Sequence, residues 1–178
     1  QDIFTVVKRF RQQISIFHYG GHANGASLQL DGNIDSQTAH VSGLAQILGM
    51  MPNLQIVFLN GCATVGQVET LLSQGVKVVI ATSTAINDSK AMEFSREFYG
   101  SLAKNETIEN AFKIAKAYMN TTYSKVQLYQ KKGLKLKRKT ANEFPWGIYF
   151  NDEIAIDGTN FTIIPAIRYD KYELSPYK

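Results

Sequence analysis

Residues Asn53–Thr64 read Asn-Leu-Gln-Ile-Val-Phe-Leu-Asn-Gly-Cys-Ala-Thr, and they predict the central strand of the fold. Within them, Leu54–Leu59 is a short apolar run in which only Gln55 is polar, with turn residues on both sides. A run of this length is typical of a strand buried on both faces. Cys62, the only cysteine among 178 residues, follows at the C-terminal end of that strand. Ligands bind at this end of the strands in open α/β sheets, so the stretch predicts a functional edge as well as a core strand.

An amphipathic helix is predicted after the cysteine, opening at Gly66 and carrying Val68, Leu71 and Leu72 on its apolar face. A helix N-terminus favours the thiolate, which is the reactive form of cysteine. The competing interpretation is that Cys62 is a small buried hydrophobic residue, which is the commonest role of a lone cysteine.

Strands and helices alternate along the rest of the chain. Apolar periodicity predicts further helices at Ile3–Phe10, Val41–Met51, Asp88–Leu102 and Asn105–Met119. Further strands are predicted at Ile14–Tyr19, Lys77–Ala81 and Pro145–Phe150, with a small β-ribbon over Ser27–Asn33 and a terminal β element at Phe161–Ile164. This alternation predicts an α/β fold in one domain over residues 1–178, with a mostly parallel sheet and helices on both faces.

The composition is that of an ordinary globular protein, 44% hydrophobic and 19% charged. No run of about 18 apolar residues is present, so no membrane span is expected. A single cysteine cannot form an internal disulfide, which favours a reducing, cytoplasmic location. The chain begins with Gln1 and carries no signal-peptide pattern, so we expect it to be a fragment of a longer multidomain protein.

The net charge of +4 comes from one segment, Lys131–Lys139, which holds six positive charges and no negative one. A charge run of this kind is most often a solvated loop. It is also the one place where nucleic acid or an acidic partner is expected to bind, although no aromatic residue interleaves it. A processing site in the same segment is a third interpretation.

A histidine occupies the same kind of position as Cys62. His22 follows a glycine just after a predicted strand, as Cys62 does, and parallel neighbours would bring both to one edge of the sheet. A thiol and an imidazole together are the minimum for nucleophilic acyl transfer. Cys62 would attack, and His22 would take its proton and later protonate the leaving amine. The oxyanion would be held by the backbone N–H of Cys62 and by that of Gly21 or Ala23.

No metal or cofactor is predicted. His18 precedes His22 by four residues, a spacing that suits a metal pair on a helix but not on a strand and its loop, and no third ligand is evident. The glycines of Gly20–Gly25 are expected to provide positive φ in a loop. They also resemble the start of a phosphate loop, but Ala26-Ser27 stands where Lys-Ser/Thr would be required.

Several blocks of the chain resemble, in order and at natural spacing, the CHAT domain, a caspase-like peptidase domain related to separase, gingipains and legumain. The resemblance covers about residues 12 to 151. It rests on the blocks His18–His22, Val57–Thr64, Gly75–Ala81, Asp88–Phe94, Phe98–Ala103, Ala111-Phe112 and Trp146-Gly147. It implies a caspase-like three-layer α/β sandwich and a cysteine endopeptidase with His22 and Cys62 as catalytic dyad. By the same resemblance, attached domains or a partner protein would gate the activity.

The sequence departs from the family at one position, because Ala23 stands where a glycine usually follows the histidine.

The resemblance also implies that the segment Thr82–Ser89 forms a wall of the substrate pocket. Asp88 is similar to an aspartate that separase uses to bind arginine, but it is equally suited to capping its own helix. Thr84 and Ile86 would suit a neutral or apolar substrate side chain. Cleavage after aspartate is not expected, since no arginine lies near that segment.

Two other classes of function are consistent with the same residues. A caspase-like domain that has lost catalysis would serve as a scaffold or interaction module, and its cysteine would have no reason to be reactive. An amidase acting on small molecules would need a closed, deep pocket, whereas an open groove along a sheet edge would favour peptides.

Overall fold

A computed structural model of the protein describes residues 3–23, 27–29, 38–123 and 144–151. The predicted terminal β element Phe161–Ile164 and the basic segment Lys131–Lys139 lie outside these ranges. Within them, no helix combines the length and the apolar character needed to cross a membrane.

Helices and strands alternate along the described chain largely as predicted. Their bounds are α1 Ile3–Phe10, β1 Ile16–Gly21, β2 Ser27–Gln29, β3 Thr38–His40, α2 Val41–Gly49, β4 Ile56–Gly61, α3 Val68–Ser73, β5 Val78–Thr82, α4 Asp88–Leu102, α5 Ile108–Tyr123 and β6 Trp146–Phe150.

The main sheet has four strands in the order β1-β4-β5-β6. β1, β4 and β5 are parallel, and β6 pairs antiparallel with β5. The prediction of a mostly parallel α/β sheet is therefore confirmed. β2 lies within the predicted ribbon and pairs antiparallel with β3, which lies beyond it, whereas residues 30–33 of the predicted ribbon are outside the described ranges.

Two hydrophobic clusters cover the two faces of this sheet. Side chains alternate along a strand, so the odd positions Val57 and Leu59 of β4 join an aliphatic cluster with α2 and α3. The even positions Ile56 and Phe58 join a largely aromatic cluster with α4, α5 and β6. Every residue of β4 is buried, as the short apolar run predicts, and helices lie on both faces.

Three local predictions need correction. Gly20 and Gly21 extend β1 and do not open a loop, and the one positive-φ glycine among the described residues is Gly75 (φ 92°), just after α3. A short 3-10 helix, Thr64–Gln67, separates Cys62 from α3, so no α-helix begins beside the thiol. The cap of α4 is Asn87, whose side chain accepts the N–H of Ser89, and Asp88 is the first helical residue. The Asp88 carboxylate therefore does not cap α4.

Candidate active site

Strand register brings the two predicted catalytic residues to one sheet edge. β1 and β4 are paired from Ile16 opposite Ile56 to Gly21 opposite Gly61. His22 and Cys62 each follow directly after the last pair. Neighbouring strands lie about 4.8 Å apart, and registered side chains of parallel strands share a face. His22 and Cys62 therefore lie on the same face of the sheet as the even-numbered residues of β1 and β4, and this face is covered by α4.

A cavity of about 690 Å³ opens between these strand ends and α4. Five predicted site residues line it, namely Gly21, His22, Cys62, Ile86 and Asp88. The other residues that line it are His18, Gly20, Asn60, Gly61, Ala91, Met92, Ser95, Arg96 and Tyr99. Two predicted site residues, Ala23 and Thr84, are not part of this lining.

A hydrogen-bonded pair of threonines shapes the turn that carries Cys62. Thr64 donates its hydroxyl to the Leu59 carbonyl at 3.0 Å, and its Oγ1 accepts the N–H of Thr82 at 3.0 Å. The Thr82 hydroxyl donates to the Gly61 carbonyl. Both threonines are fully buried, so these bonds form away from water and tie the end of β4 to the end of β5.

The residue after the cysteine is strained. Ala63 has φ 51° and ψ 44°, a left-handed conformation that L-residues other than glycine, asparagine and aspartate seldom adopt. Its N–H donates to the Thr84 carbonyl at 3.1 Å. Thr84 thus acts through its main chain in holding this turn, and not as a wall of the cavity. Strain of this kind costs about 1–3 kcal/mol and persists where the surrounding structure enforces it.

The His22 segment is held from the opposite face of the sheet. Tyr19, buried in the aliphatic cluster, donates its hydroxyl to the His22 carbonyl. Gly61 allows the two strand ends to approach, because a Cβ at that position would lie 2.8 Å from the Gly21 carbonyl oxygen and 3.0 Å from Cβ of Ala23. Ala23 is bridged to Leu28 of β2, so the small ribbon also supports this segment.

Cys62 itself is half-buried at the cavity wall. Its Sγ lies 3.9 Å from the Ile86 carbonyl oxygen, the distance of a weak thiol hydrogen bond. Ile86 belongs to the loop between β5 and α4, so this contact sets the thiol on the α4 side of the sheet. His22 is exposed and lines the same cavity.

Asn60 is a site residue that the sequence reasoning missed. It is only 7% exposed and accepts the indole N–H of Trp146 at 2.9 Å. Its amide donates to the Ala91 carbonyl at 3.0 Å and to Ser95 Oγ at 2.8 Å. One side chain thereby joins β4, α4 and β6 immediately before the cysteine. Its neighbours in sequence carried no signal of these partners, which lie 31 to 86 positions away.

A second missed group is the pair formed by His18 and Tyr99. The Tyr99 hydroxyl lies 2.8 Å from Nδ1 of His18, and the imidazole stacks on Phe58 with centroids 4.6 Å apart. Partial burial lowers the pKa of His18 below its ordinary value of 6.5. Burial also raises the pKa of the Tyr99 hydroxyl. Both side chains are therefore uncharged at neutral pH.

Most of the remaining missed residues lie on α4, where a stripe begins at the predicted Asp88. Asp88, Met92, Ser95 and Tyr99 recur at three- and four-residue intervals, opposite the buried Phe94. The sequence shows this three- and four-residue spacing, but it contains no signal that this face of α4 lies against the strand ends. The cavity receives one carboxylate from this helix, Asp88, and one guanidinium, Arg96, which pairs with Glu97 at 3.3 Å. The prediction that no arginine lies near the substrate pocket is therefore wrong.

Among the described residues, no three His, Cys, Asp or Glu side chains lie close enough together to hold a metal ion. Comparison with protein-family models and with curated proteins gave no match for this chain.

Proposed function

We propose that the protein is a cysteine endopeptidase that acts through Cys62 and His22, on a caspase-like fold of the CHAT type. The observation that carries this proposal is the register of β1 with β4, in which Gly21 lies opposite Gly61. This register supports a catalytic pair, because Cys62 and His22 directly follow two paired strand ends at the edge where parallel sheets bind ligands, and both residues line one cavity.

The reaction follows from these two groups. Cys62 Sγ attacks the carbonyl carbon of the scissile amide while the imidazole of His22 takes the thiol proton. The C–N bond then breaks, and His22 returns the proton to the leaving amine. Water, deprotonated by the same imidazole, hydrolyses the thioester and restores both side chains.

Backbone donors at the two strand ends would stabilise the oxyanion. The N–H of Cys62 supplies one hydrogen bond, and that of Gly21 or Ala23 supplies the other. Of these two residues, Gly21 lines the cavity and Ala23 does not. The enforced conformation of Ala63 fixes the peptide that follows the nucleophile, as a preorganised site requires.

The position of the site at the strand ends favours an extended peptide substrate over a small molecule. It lies at the strand ends, and Met92, one of its lining residues, is 67% exposed at the rim. An amidase for small molecules would instead need a deep, enclosed pocket. Asp88 and Ile86 contribute to substrate binding in this proposal, and Thr84 supports the loop behind them. Attached domains or a partner protein would gate access in a cytoplasmic setting.

Digestion of a peptide library, followed by mass spectrometry, tests the proposal. The unsubstituted protein, Cys62→Ala and His22→Ala are compared, with Ser73→Ala, an exposed change on α3, as matched control. We expect cleavage to fall by a thousandfold or more in both site variants, because such pairs act as a unit, and to be unchanged in the control. Cleavage that persists in Cys62→Ala contradicts the proposal. Absence of cleavage together with a slowly alkylated thiol would instead support the scaffold function.

A further inference from the structure

The peptide bond between Gly61 and Cys62 decides where the proposed nucleophile directs its N–H. It is trans, like every described peptide bond, so its C=O and its N–H point in opposite directions. The Gly61 carbonyl accepts the hydroxyl of Thr82, the last residue of β5. β5 and β1 flank β4 on opposite sides. The Cys62 N–H is therefore directed away from β5 and toward the end of β1, which His22 follows.

Two further hydrogen bonds agree with this direction. The Ala63 N–H, one residue after the cysteine, donates to the Thr84 carbonyl at 3.1 Å, on the β5 side. Earlier, the Ile56 N–H donates to the carbonyl of Ser15, the residue before β1, at 3.3 Å. Main-chain groups of successive residues in a strand face alternate neighbours. Cys62 lies six residues after Ile56, an even number, so its N–H faces β1 as well.

A reciprocal pairing with Thr64 commits the hydroxyl hydrogen of Thr82 to Gly61. Each threonine has one hydroxyl hydrogen, which Thr64 donates to the Leu59 carbonyl and Thr82 to the Gly61 carbonyl. Each Oγ1 accepts the main-chain N–H of the other threonine, at 3.0 Å for the Thr82 N–H and 3.3 Å for the Thr64 N–H. Both side chains are fully buried, so these bonds form away from water. Of the four bonds, only the one from Thr82 to Gly61 involves the peptide that carries the Cys62 N–H.

We propose that Thr82 is a positioning residue for the oxyanion: its hydroxyl holds the Gly61 carbonyl on the β5 side and thereby directs the Cys62 N–H at the oxygen of the attacked carbonyl group. This inference rests on the proposed peptidase activity. When Cys62 Sγ adds to the carbonyl carbon, the π electrons of the C=O bond move to its oxygen, and the resulting negative charge accepts a hydrogen bond from this N–H. A peptide turned the other way would instead present the Gly61 carbonyl oxygen to that charge.

The Gly21 carbonyl faces the same gap and competes for this N–H in the resting site. Ser15 directs its carbonyl at β4, and Gly21, six residues later, repeats that direction. The Gly21 oxygen lies 2.8 Å from the Cβ position of Gly61. A charged acceptor makes a hydrogen bond roughly twice as strong as a neutral one, so the oxyanion is favoured over the Gly21 carbonyl as charge develops. The interaction is therefore strongest in the transition state, as catalysis requires.

Two valine substitutions form a matched test of this role. Thr82→Val and Thr64→Val each replace a buried hydroxyl by a methyl group, and each leaves one carbonyl and one N–H without its partner. Both should therefore lose similar stability in urea unfolding. Only Thr82→Val releases the Gly61 carbonyl. Thr82→Ser, which restores the hydroxyl, is the rescue variant, and Thr82→Ala replaces the valine variant if that does not fold.

Three readouts distinguish positioning from a general loss of structure. Peptide cleavage requires the oxyanion. So does the reversible addition of Cys62 to a peptide aldehyde, in which a C–S bond forms, the carbonyl oxygen becomes the oxyanion and His22 holds the thiol proton. Alkylation by iodoacetamide displaces iodide and forms no oxyanion, so it reports on the thiolate alone. The aldehydes are tripeptides that end in arginine or leucine, which suit Asp88 and Ile86 of the cavity.

We expect kcat to fall by about 100-fold in Thr82→Val, with KM changing by less than about 3-fold, because the donor acts in the transition state. Aldehyde binding should weaken by about 10-fold or more, and the alkylation rate should stay at that of the unsubstituted protein. Thr82→Ser should recover most of the activity, whereas Thr64→Val should keep kcat within about 3-fold of the unsubstituted value.

The outcomes separate this inference from the peptidase proposal. Cleavage that depends on Cys62 but is unchanged in Thr82→Val, falls equally in Thr64→Val or is not rescued in Thr82→Ser overturns the positioning role alone. Slow alkylation of Thr82→Val does so as well. Cleavage that persists in Cys62→Ala, or a protein that neither cleaves peptides nor binds the aldehydes, overturns both proposals. Aldehyde binding that depends on Thr82 without any peptide cleavage supports the positioning role and contradicts the peptidase.

Discussion

The two faces of β4 change character at different points along the strand. On the face toward α2 and α3, Val57, Leu59 and Gly61 are all buried, and packing continues to the strand end. On the face toward α4, Phe58 is packed among aromatic rings, but Asn60 and Cys62 line a cavity. The site therefore lies where one face of a central strand extends beyond its hydrophobic cover while the other face does not.

This difference shows how a rigid scaffold can expose a reactive group. The closed aliphatic face holds the strand ends in register, and Tyr19 even reaches from it to the main chain of His22. The aromatic face stops at Phe58, and beyond it Asn60 replaces apolar packing by hydrogen bonds to α4 and β6. Rigidity is thus supplied from one side and access from the other.

Truncation of one residue on each face gives the largest expected effects. Phe94 is fully buried and stacks on Trp146 at 4.5 Å, so Phe94→Ala should lower the free energy of unfolding by about 3–5 kcal/mol. Leu48→Ala on the aliphatic face should cost about 2–5 kcal/mol. Urea unfolding measures both. In the folded state only Phe94→Ala should change the alkylation rate of Cys62, and an equal change in Leu48→Ala would show that the faces are not independent.

The hydrogen bond between Asn60 and Trp146 should give a smaller but diagnostic effect. Asn60→Ala leaves the indole N–H buried without its partner, which costs about 1–3 kcal/mol. Trp146→Phe removes that donor, so adding Asn60→Ala to it should cost clearly less. A double-mutant cycle by chemical unfolding measures the difference. Strictly additive costs would mean that Asn60 does not anchor the aromatic face through this bond.

Closure of the strand ends is tested at Gly61. A methyl group there would meet the Gly21 carbonyl oxygen at 2.8 Å, so Gly61→Ala should destabilise the protein by about 1–3 kcal/mol and reduce cleavage. Gly100→Ala in α4 is the control, since a Cβ at Gly100 has no neighbour within 4 Å. Helix propensity should make that variant more stable by about 0.5–1 kcal/mol. Wild-type stability in Gly61→Ala would contradict the close approach of the two ends.

The smallest effect concerns pH. Burial lowers the pKa of His18 in the folded state, so the unfolded chain binds more protons below pH 6.5. The free energy of unfolding should therefore fall as the pH drops from 6.5 toward the folded-state pKa. This component should be missing in His18→Phe, when unfolding curves at neutral and mildly acidic pH are compared between the two proteins. A pH dependence identical in both would contradict the shift.

Much of the fold was predictable because it depends on local patterns. The apolar run of β4, the alternation of strands and helices, and the glycine after α3 each have a local physical cause. The juxtaposition of His22 and Cys62 was predictable for a different reason, since parallel strands align their C-terminal ends. The antiparallel direction of β6 could not be predicted, because the sequence pattern of a short strand does not indicate its direction in the sheet.

The rest of the site depends on contacts between distant segments. Asn60 and Tyr99 acquire their roles from partners on other elements, and their own sequence positions are unremarkable. The choice of Asn87 over Asp88 as helix cap shifts an N-terminus by one residue, which is finer than sequence patterns resolve. That shift removes the capping role from Asp88, which lines the cavity, and leaves only the substrate-binding alternative of the sequence analysis.

The pairing of Cys62 with His22 is tested most directly by the rate of iodoacetamide alkylation as a function of pH. Cys62 is the only cysteine, so the label reports on this thiol alone. The unsubstituted protein should react rapidly below about pH 7, because the thiolate is the reacting form and the imidazole takes its proton. His22→Ala should lose this reactivity, and His18→Phe, four residues earlier on β1, should keep it. Identical, slow profiles in the unsubstituted protein and in His22→Ala would contradict the pairing.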